Sequence, residues 1–194
     1  MADNMKIKVI MGSTRPSRFS ETPTQWIFNE LKKQNGVDVE VLDLRDYPMP
    51  FFDEAVSPSM KTEPYKHPVV KKWTAKIAEA DGFVVVTPEY NHGYPAVLKN
   101  AFDYVYPEWN QKAIGFVSYG SVAGARAVEQ LRMVAIELQM VPIRAAIHLP
   151  PDKWVPVLIG KAPAETLFEA VAVPAQKFIE QLLWWTKALK NARA

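Results

Sequence analysis

The chain has 194 residues, 48% of them apolar and 23% charged, a length and balance that suit one domain (1–194) with a core of its own. A net charge of +2, from 23 basic against 21 acidic side chains, is too near neutral for a nucleic-acid surface, which needs a clustered basic face. Cysteine is absent, which excludes a disulfide framework, a thiolate nucleophile and a Cys-ligated metal, and is compatible with a reducing compartment. The leading "MADNMKIKVIMGS" lacks an apolar run of signal-peptide length, and no stretch reaches the roughly 18 apolar residues of a membrane span. The chain therefore reads as soluble and cytoplasmic, with no membrane partner.

In chain order, "KIKVIMG" (6–12) is β-branched and ends at glycine, as a buried parallel strand should. "TPTQWIFNELKKQ" has helical spacing and stops at Asn35-Gly36. "VDVEVLDL" (37–44) alternates as a strand with one less buried face. The next stretch, 45–68, is rich in proline and aromatics and reads as an irregular excursion, a lid or a contact arm. "HPVVKKWTAKIAEA" (67–80) is helical, and "GFVVVTP" (82–88) is the most strand-like segment of all. A helix over 94–106, a strand over 112–120, a helix over 121–140 and a fifth strand over 141–150 follow. Residues 163–189 close the chain as a helix interrupted or kinked at Pro174.

Strands alternating with helices predict βαβ units and a parallel sheet covered on both faces, joined by right-handed crossovers. Five strands suit the order 2-1-3-4-5, a flavodoxin-like three-layer α/β/α sandwich. In such a sheet ligands bind outside the carboxyl ends of the strands, where the strand order reverses. Gly12 to Ser20 occupy that position after the first strand, just before a helix whose N-terminal amides favour an anion. Ser13, Thr14, Ser17 and Ser20 can add hydroxyl donors, and Arg15 or Arg18 a planar charged fork. The competing reading is that Ser20 or Thr22 merely caps the helix while the arginines are solvated. The loop is neither a Walker A sequence nor G-x-G-x-x-G, and a mononucleotide phosphate held by hydroxyls and amides matches it better.

A second loop, "TPEYNHGYPAVLKNAFDY" (87–104), follows the third strand and faces the same crevice. Together with "GSTRPSRFSE" and "SYGSVAGARAVEQLR" (118–132), in this order and spacing, it resembles the NADPH-dependent FMN reductases of the flavodoxin-like superfamily, which include azoreductases and quinone reductases. The resemblance covers roughly residues 6 to 150. It implies that Ser13, Thr14, Arg15 and Ser20 hold the FMN phosphate, with Arg18 an additional contact. It implies that the backbone of Pro88, Glu89, Tyr90, Asn91, His92 and Gly93 runs along the flavin ring, and that Ser118, Tyr119, Gly120 and Ser121 lie near its other edge. Many relatives carry glycine where this chain has Ser17, and several carry Asn-Ser where it has Ser20-Glu21. The resemblance further implies NADPH or NADH as co-substrate, a small-molecule electron acceptor (a quinone, an azo compound, free flavin or a metal ion), and a homodimer or homotetramer with the flavin near the subunit boundary.

No catalytic acid, base or nucleophile is expected, since hydride transfer belongs to the flavin. His92 reads as a loop histidine lining the pocket, and Glu89 as a partner in a salt bridge or a helix-dipole contact near Tyr94. Trp26 and Phe28 read as core. Trp184 and Trp185 are adjacent, so only one can face inward. His67, His92 and His148 lack zinc spacing. A flavodoxin-like electron carrier is the alternative, although such carriers tend to be strongly acidic and this chain is slightly basic. A phosphoacceptor would need acids where Gly12-Ser13 stand, and a phosphatase of this fold a cysteine.

Overall fold

A computed structural model describes residues 4–194. Four long parallel strands, β1 (Met5–Met11), β2 (Val37–Asp43), β3 (Gly82–Pro88) and β4 (Ala113–Tyr119), form the sheet with two short ones, β5 (Val141–Pro142) and β6 (Ile147–Leu149). The order is β2-β1-β3-β4-β5, with β6 also pairing β4, which is the 2-1-3-4-5 arrangement with its last member divided. Strands β3 and β4 are buried along their whole length, as sheet centres sandwiched between helices must be. Helices α1 (Glu21–Lys32), α6 (Ala164–Ala170) and α7 (Ala172–Arg193) cover one face. Helices α2 (Pro68–Glu79), α3 (Ala96–Asp103) and α4 (Ala125–Glu137) cover the other.

The period-2 alternation of the strands divides the core. Ile7, Val9, Val84, Val86 and Val117 meet Ile27, Leu31, Phe178 and Leu182, while Ile10, Phe83, Val85, Ile114 and Phe116 meet Trp73, Phe102, Trp109 and Leu131. Gly115 keeps a place for Phe178: a Cβ there would lie 2.5 Å from the Phe178 ring.

Three expectations are corrected. The fifth strand is two, because four residues separate Pro142 from Ile147 where only two separate their β4 partners Ile114 and Val117. Pro142 costs this pairing no donor, since the Val141 and Ile143 amides on either side of it both donate to β4 (2.9 Å, to Lys112 and Ile114); the backbone looped out beyond them finds side chains instead. Arg132 donates to the carbonyls of Ile143 (2.6 Å) and Arg144 (3.0 Å), and the Ala145 amide donates to Gln181 Oε1 (2.7 Å). The C-terminal helix breaks at Val171, three residues before Pro174. The proline ring excludes the carbonyl four residues back, so the break falls at the end of α6 and Pro174 sits harmlessly in the first turn of α7. Finally, Trp26 and Phe28 are half-buried rather than core, and Trp26 stacks on Phe168 at 4.5 Å beside a groove of about 980 Å³ between α1, α6 and α7.

A further helix, α5 (Pro151–Leu158), follows β6. The 45–68 excursion is irregular apart from single 3₁₀ turns at Leu44–Asp46 and Pro58–Met60. It is tied to α3 by Asn100, whose amide donates to the Pro50 carbonyl (2.7 Å) and accepts from the Phe52 amide (2.9 Å). Among the described residues, no helix is long and apolar enough to cross a membrane. Trp184 is exposed, while Trp185 packs inward.

Candidate functional site

Three loops meet at the carboxyl ends of β1, β3 and β4. Their contacts are specific hydrogen bonds between the loops themselves. Ser13 Oγ lies 2.9 Å from the Tyr90 hydroxyl, joining the first loop to the second. Ser20 Oγ lies 3.0 Å from the Tyr119 hydroxyl, joining the first to the third. The Glu89 amide donates to the Tyr119 carbonyl (2.9 Å), joining the second to the third. Burial pushes the Tyr119 phenol up to about 12, so it keeps its proton and its bond to Ser20.

The first loop divides into buried and outward-facing residues. Ser13, Arg18 and Ser20 are buried, and Thr14, Arg15 and Ser17 lie toward the surface. Arg18 is placed otherwise than expected for an anion contact: its fork grips the Asp43 carboxylate, its Nη1 also donates to the Ser13 carbonyl (2.7 Å), and its Nε donates to Glu21 (3.1 Å). Ser20 likewise turns to Tyr119 and makes no side-chain cap, leaving the first turn of α1 without one. The polar side chains lying toward the surface include Thr14 and Arg15, whose guanidinium lies 5.7 Å over the Tyr90 ring. Three guanidiniums (Arg15, Arg18, Arg45) stand here against two carboxylates (Glu21, Asp43), a local positive excess that suits a phosphate.

The second loop is a tight turn in which the Tyr90 amide donates to the Gly93 carbonyl (2.8 Å) and the Gly93 amide to the Tyr90 carbonyl (3.0 Å). Asn91 and His92 occupy the left-handed region at φ 49° and 70°, the pairing that a two-residue primed turn demands. Helix α4 braces it. Glu89, nearly buried, pairs with the Arg126 guanidinium and accepts from the Arg126 amide (3.1 Å) at the start of α4. It is thus the salt-bridge residue expected, but against the dipole of α4 rather than near Tyr94. Arg126 Nη1 donates to His92 Nε2 (2.7 Å), and Gln130 donates to the His92 carbonyl (2.8 Å), so His92 is held by its neighbours.

The third loop turns on Gly124, at φ 76°, where an added Cβ would lie 2.6 Å from Ser118 Cβ and 2.9 Å from the Tyr119 amide nitrogen. Ser118 donates to the Ala123 carbonyl (2.8 Å), so its oxygen is left to accept from His148 Nδ1 at 2.9 Å. Trp154 of α5 reaches over to donate to the Gly120 carbonyl (3.3 Å) and packs against both Phe19 and Tyr119 at 5.4 Å. Ser121, an outer position, accepts from Arg126 at 3.4 Å.

Asp43, Arg45, Arg126, Gln130 and Trp154 were not anticipated from sequence. Arg126 lies inside the third motif, and Arg45 lies two residues beyond β2, at the carboxyl end of the sheet, where ligands bind in folds of this kind. Those positions were the available signals.

The paired carboxylates set an acid limit. Burial alone would raise Asp43 and Glu89, but bonds from Arg18 and the Arg45 amide, and from Arg126, hold both below the usual carboxylate range. Their contribution to stability is complete above the unfolded value of about 4 and is lost as pH falls through the lowered folded values. Unfolding free energies from urea titration should therefore drop steeply below about pH 4, by up to roughly 1.4 kcal/mol per pH unit for each group, and Asp43→Asn with Glu89→Gln should flatten that limb. An unchanged acid limb in the double variant would exclude these carboxylates as its source.

The family model for NADPH-dependent FMN reductases matches residues 5–152, the span holding all three loops. An NAD(P)H-dependent FMN reductase of Schizosaccharomyces pombe is 43% identical over 159 residues, covering 81% of this chain and 80% of that one. A 2-hydroxy-1,4-benzoquinone reductase of a Burkholderia species is 32% identical over 147 residues, covering 71% and 73%. Among solved structures, the NAD(P)H:(acceptor) oxidoreductase FerB of Paracoccus denitrificans superposes with a TM-score of 0.71 at 18% identity, over 95% of this chain and 98% of that one, which shows the shared fold. The three loops, their order along the sheet and the extent of the match lead to one assignment: the chain belongs to the NADPH-dependent FMN reductase family.

Proposed function

We propose that this protein is a cytoplasmic, FMN-dependent NAD(P)H oxidoreductase that works as a homodimer or homotetramer and reduces a small acceptor such as a quinone, an azo compound or free flavin. The observation that carries the reading is the mutual hydrogen bonding of the three loops through Ser13–Tyr90, Ser20–Tyr119 and Glu89–Tyr119, which brings three distant segments together at one end of the sheet. The donor set fits a phosphate: the Thr14 hydroxyl and Arg15 lie toward the surface, with the nearby acids already paired to arginines. FMN held by these residues would supply the hydride chemistry that couples NAD(P)H to a small acceptor in a ping-pong cycle.

The chain's own part is placement. Thr14 and Arg15 hold the phosphate, with Ser13 and Ser20 behind them fixing Tyr90 and Tyr119. The backbone of Pro88 to Gly93, stiffened by its primed turn and by Arg126 and Gln130, runs along the flavin ring, with the Asn91 and His92 amides, which the turn's own bonds do not use, left to meet it. Ser118 to Ser121 close the other edge, held from behind by Trp154. No side chain needs to move a proton at the reacting atom.

Titration of flavin-free protein with FMN should quench the flavin fluorescence, and NADPH oxidation should then follow FMN and acceptor with parallel double-reciprocal lines. A protein that leaves FMN fluorescence unchanged and does not oxidise NADPH would overturn the proposal. Direct hydride uptake from NADPH also separates it from an electron carrier, which needs a separate reductase.

A further inference from the structure

The phosphate loop lacks glycines beyond Gly12, so something other than an intrinsically compact loop must hold its peptide planes. Two arginines do so. Arg18 Nη1 takes the Ser13 carbonyl at 2.7 Å. Arg45, from the turn after β2 and thirty residues from the loop's centre, takes the next two: Nε donates to the Thr14 carbonyl at 3.3 Å and Nη2 to the Arg15 carbonyl. Three consecutive carbonyls are thus drawn to one side. In a trans peptide the N–H points opposite to the C=O, so the amides of Thr14 and Arg15 are turned away from the guanidiniums. The Arg15 amide accordingly points toward Ser13 Oγ, at 3.4 Å. The following peptide, Arg15–Pro16, has no N–H, and there the tie only fixes the loop's path.

The arginines are themselves anchored. Asp43 accepts from the Arg18 fork and from the Arg45 amide (2.9 Å), and Glu21 Oε1 accepts from Arg18 Nε (3.1 Å) and Arg45 Nη1 (3.3 Å). Arg18 is buried, so its loss would disturb the core around it. The Arg45 side chain is 38% exposed, and it meets the loop through polar contacts.

We infer that Arg45 is a positioning residue for cofactor binding, which sets the Thr14–Arg15 peptide plane and the path of the first loop around the phosphate by holding the carbonyls of Thr14 and Arg15 from behind. The inference rests on the proposed seating of the FMN phosphate on that loop. It gives Arg45 a role that the family motifs do not assign.

The experiment compares Arg45→Gln and Arg45→Lys with the wild type, each flavin-free, titrated with FMN and separately with riboflavin, which carries the same ring without a phosphate. Wild type should bind FMN well ahead of riboflavin. Arg45→Gln should lose roughly ten- to a hundredfold in FMN affinity, the worth of one or two charge-assisted bonds, with riboflavin affinity within about twofold. Arg45→Lys should recover only part of the loss, because an ammonium cannot span two adjacent carbonyls in a plane.

FMN affinity within about twofold of wild type in Arg45→Gln would overturn the inference, as would equal losses for both ligands. Full recovery by lysine would also overturn it, since charge alone would then suffice. Should Arg45→Gln fail to fold by circular dichroism, Arg45→Lys decides, with a phosphate-selective partial loss as the supporting result and wild-type FMN affinity as the contrary one. A wild type that does not distinguish FMN from riboflavin would instead overturn the seating of the phosphate.

Discussion

Replacing Gly124 with valine is expected to lower stability by roughly 2–5 kcal/mol and to abolish FMN binding in the protein that still folds. Two costs combine. A residue with a branched Cβ held at φ 76° loses about 1–2 kcal/mol against glycine, and packing the new atoms adds about 1–3 kcal/mol. The second cost is unavoidable because the obstacles are Ser118 Cβ at 2.6 Å and the backbone nitrogen of Tyr119 at 2.9 Å, neither of which is a flexible side-chain tip. Relief requires the third loop to shift, and with it Tyr119, which holds Ser20 of the first loop and the Glu89 amide of the second. Urea denaturation with FMN titration in the native baseline checks both halves. A destabilisation under about 1 kcal/mol, or native-like FMN affinity, would show that the third loop can give without moving the other two.

Phe178→Ala should cost about 3–5 kcal/mol and lower Tm by about 10 °C in a chain of this size. Phe178 is fully buried, and its ring fills the hollow that Gly115 leaves on β4. Gly115→Val alone should also destabilise, since its Cβ would meet the ring at 2.5 Å. The two changes are complementary, one vacating the space that the other fills, so the double variant should lose clearly less than the sum of the two single losses. Simple additivity in thermal melts would mean that α7 pivots away from the sheet when either residue changes. Because Gly115 lies four residues before Tyr119, the first residues of the third loop should keep their geometry in the Phe178 variant, and FMN affinity should remain near wild type below its Tm.

The sheet order was legible because each long strand announces itself locally, with valine and isoleucine runs closed by Gly12, Pro88 or Gly120. The divided fifth strand was not. Its sequence "VPIRAAIHLP" reads as one strand with single polar residues, and the interruption depends on two residues too many against the β4 register, together with the side chains of Arg132 and Gln181 that meet the freed backbone groups. In the same way the three site loops were readable as short motifs, whereas what joins them was not. Ser13 meets Tyr90 across 77 residues and Ser20 meets Tyr119 across 99, contacts that exist only once β1, β3 and β4 are in register. Arg18 could be located but not its partner. A buried arginine beside Asp43 and a solvated one beside a ligand look the same in sequence.

The split between β5 and β6 also bears on how this protein keeps to itself. An unbroken outer strand offers a row of vacant donors and acceptors on which a foreign polypeptide can build cross-β order. Here that row is two residues, a bulged corner whose carbonyls are already taken by Arg132, and three residues more. Pro142 adds one position that can never donate. No template of useful length is left on that flank, which blocks fibrillar growth there without altering a single residue of the crevice.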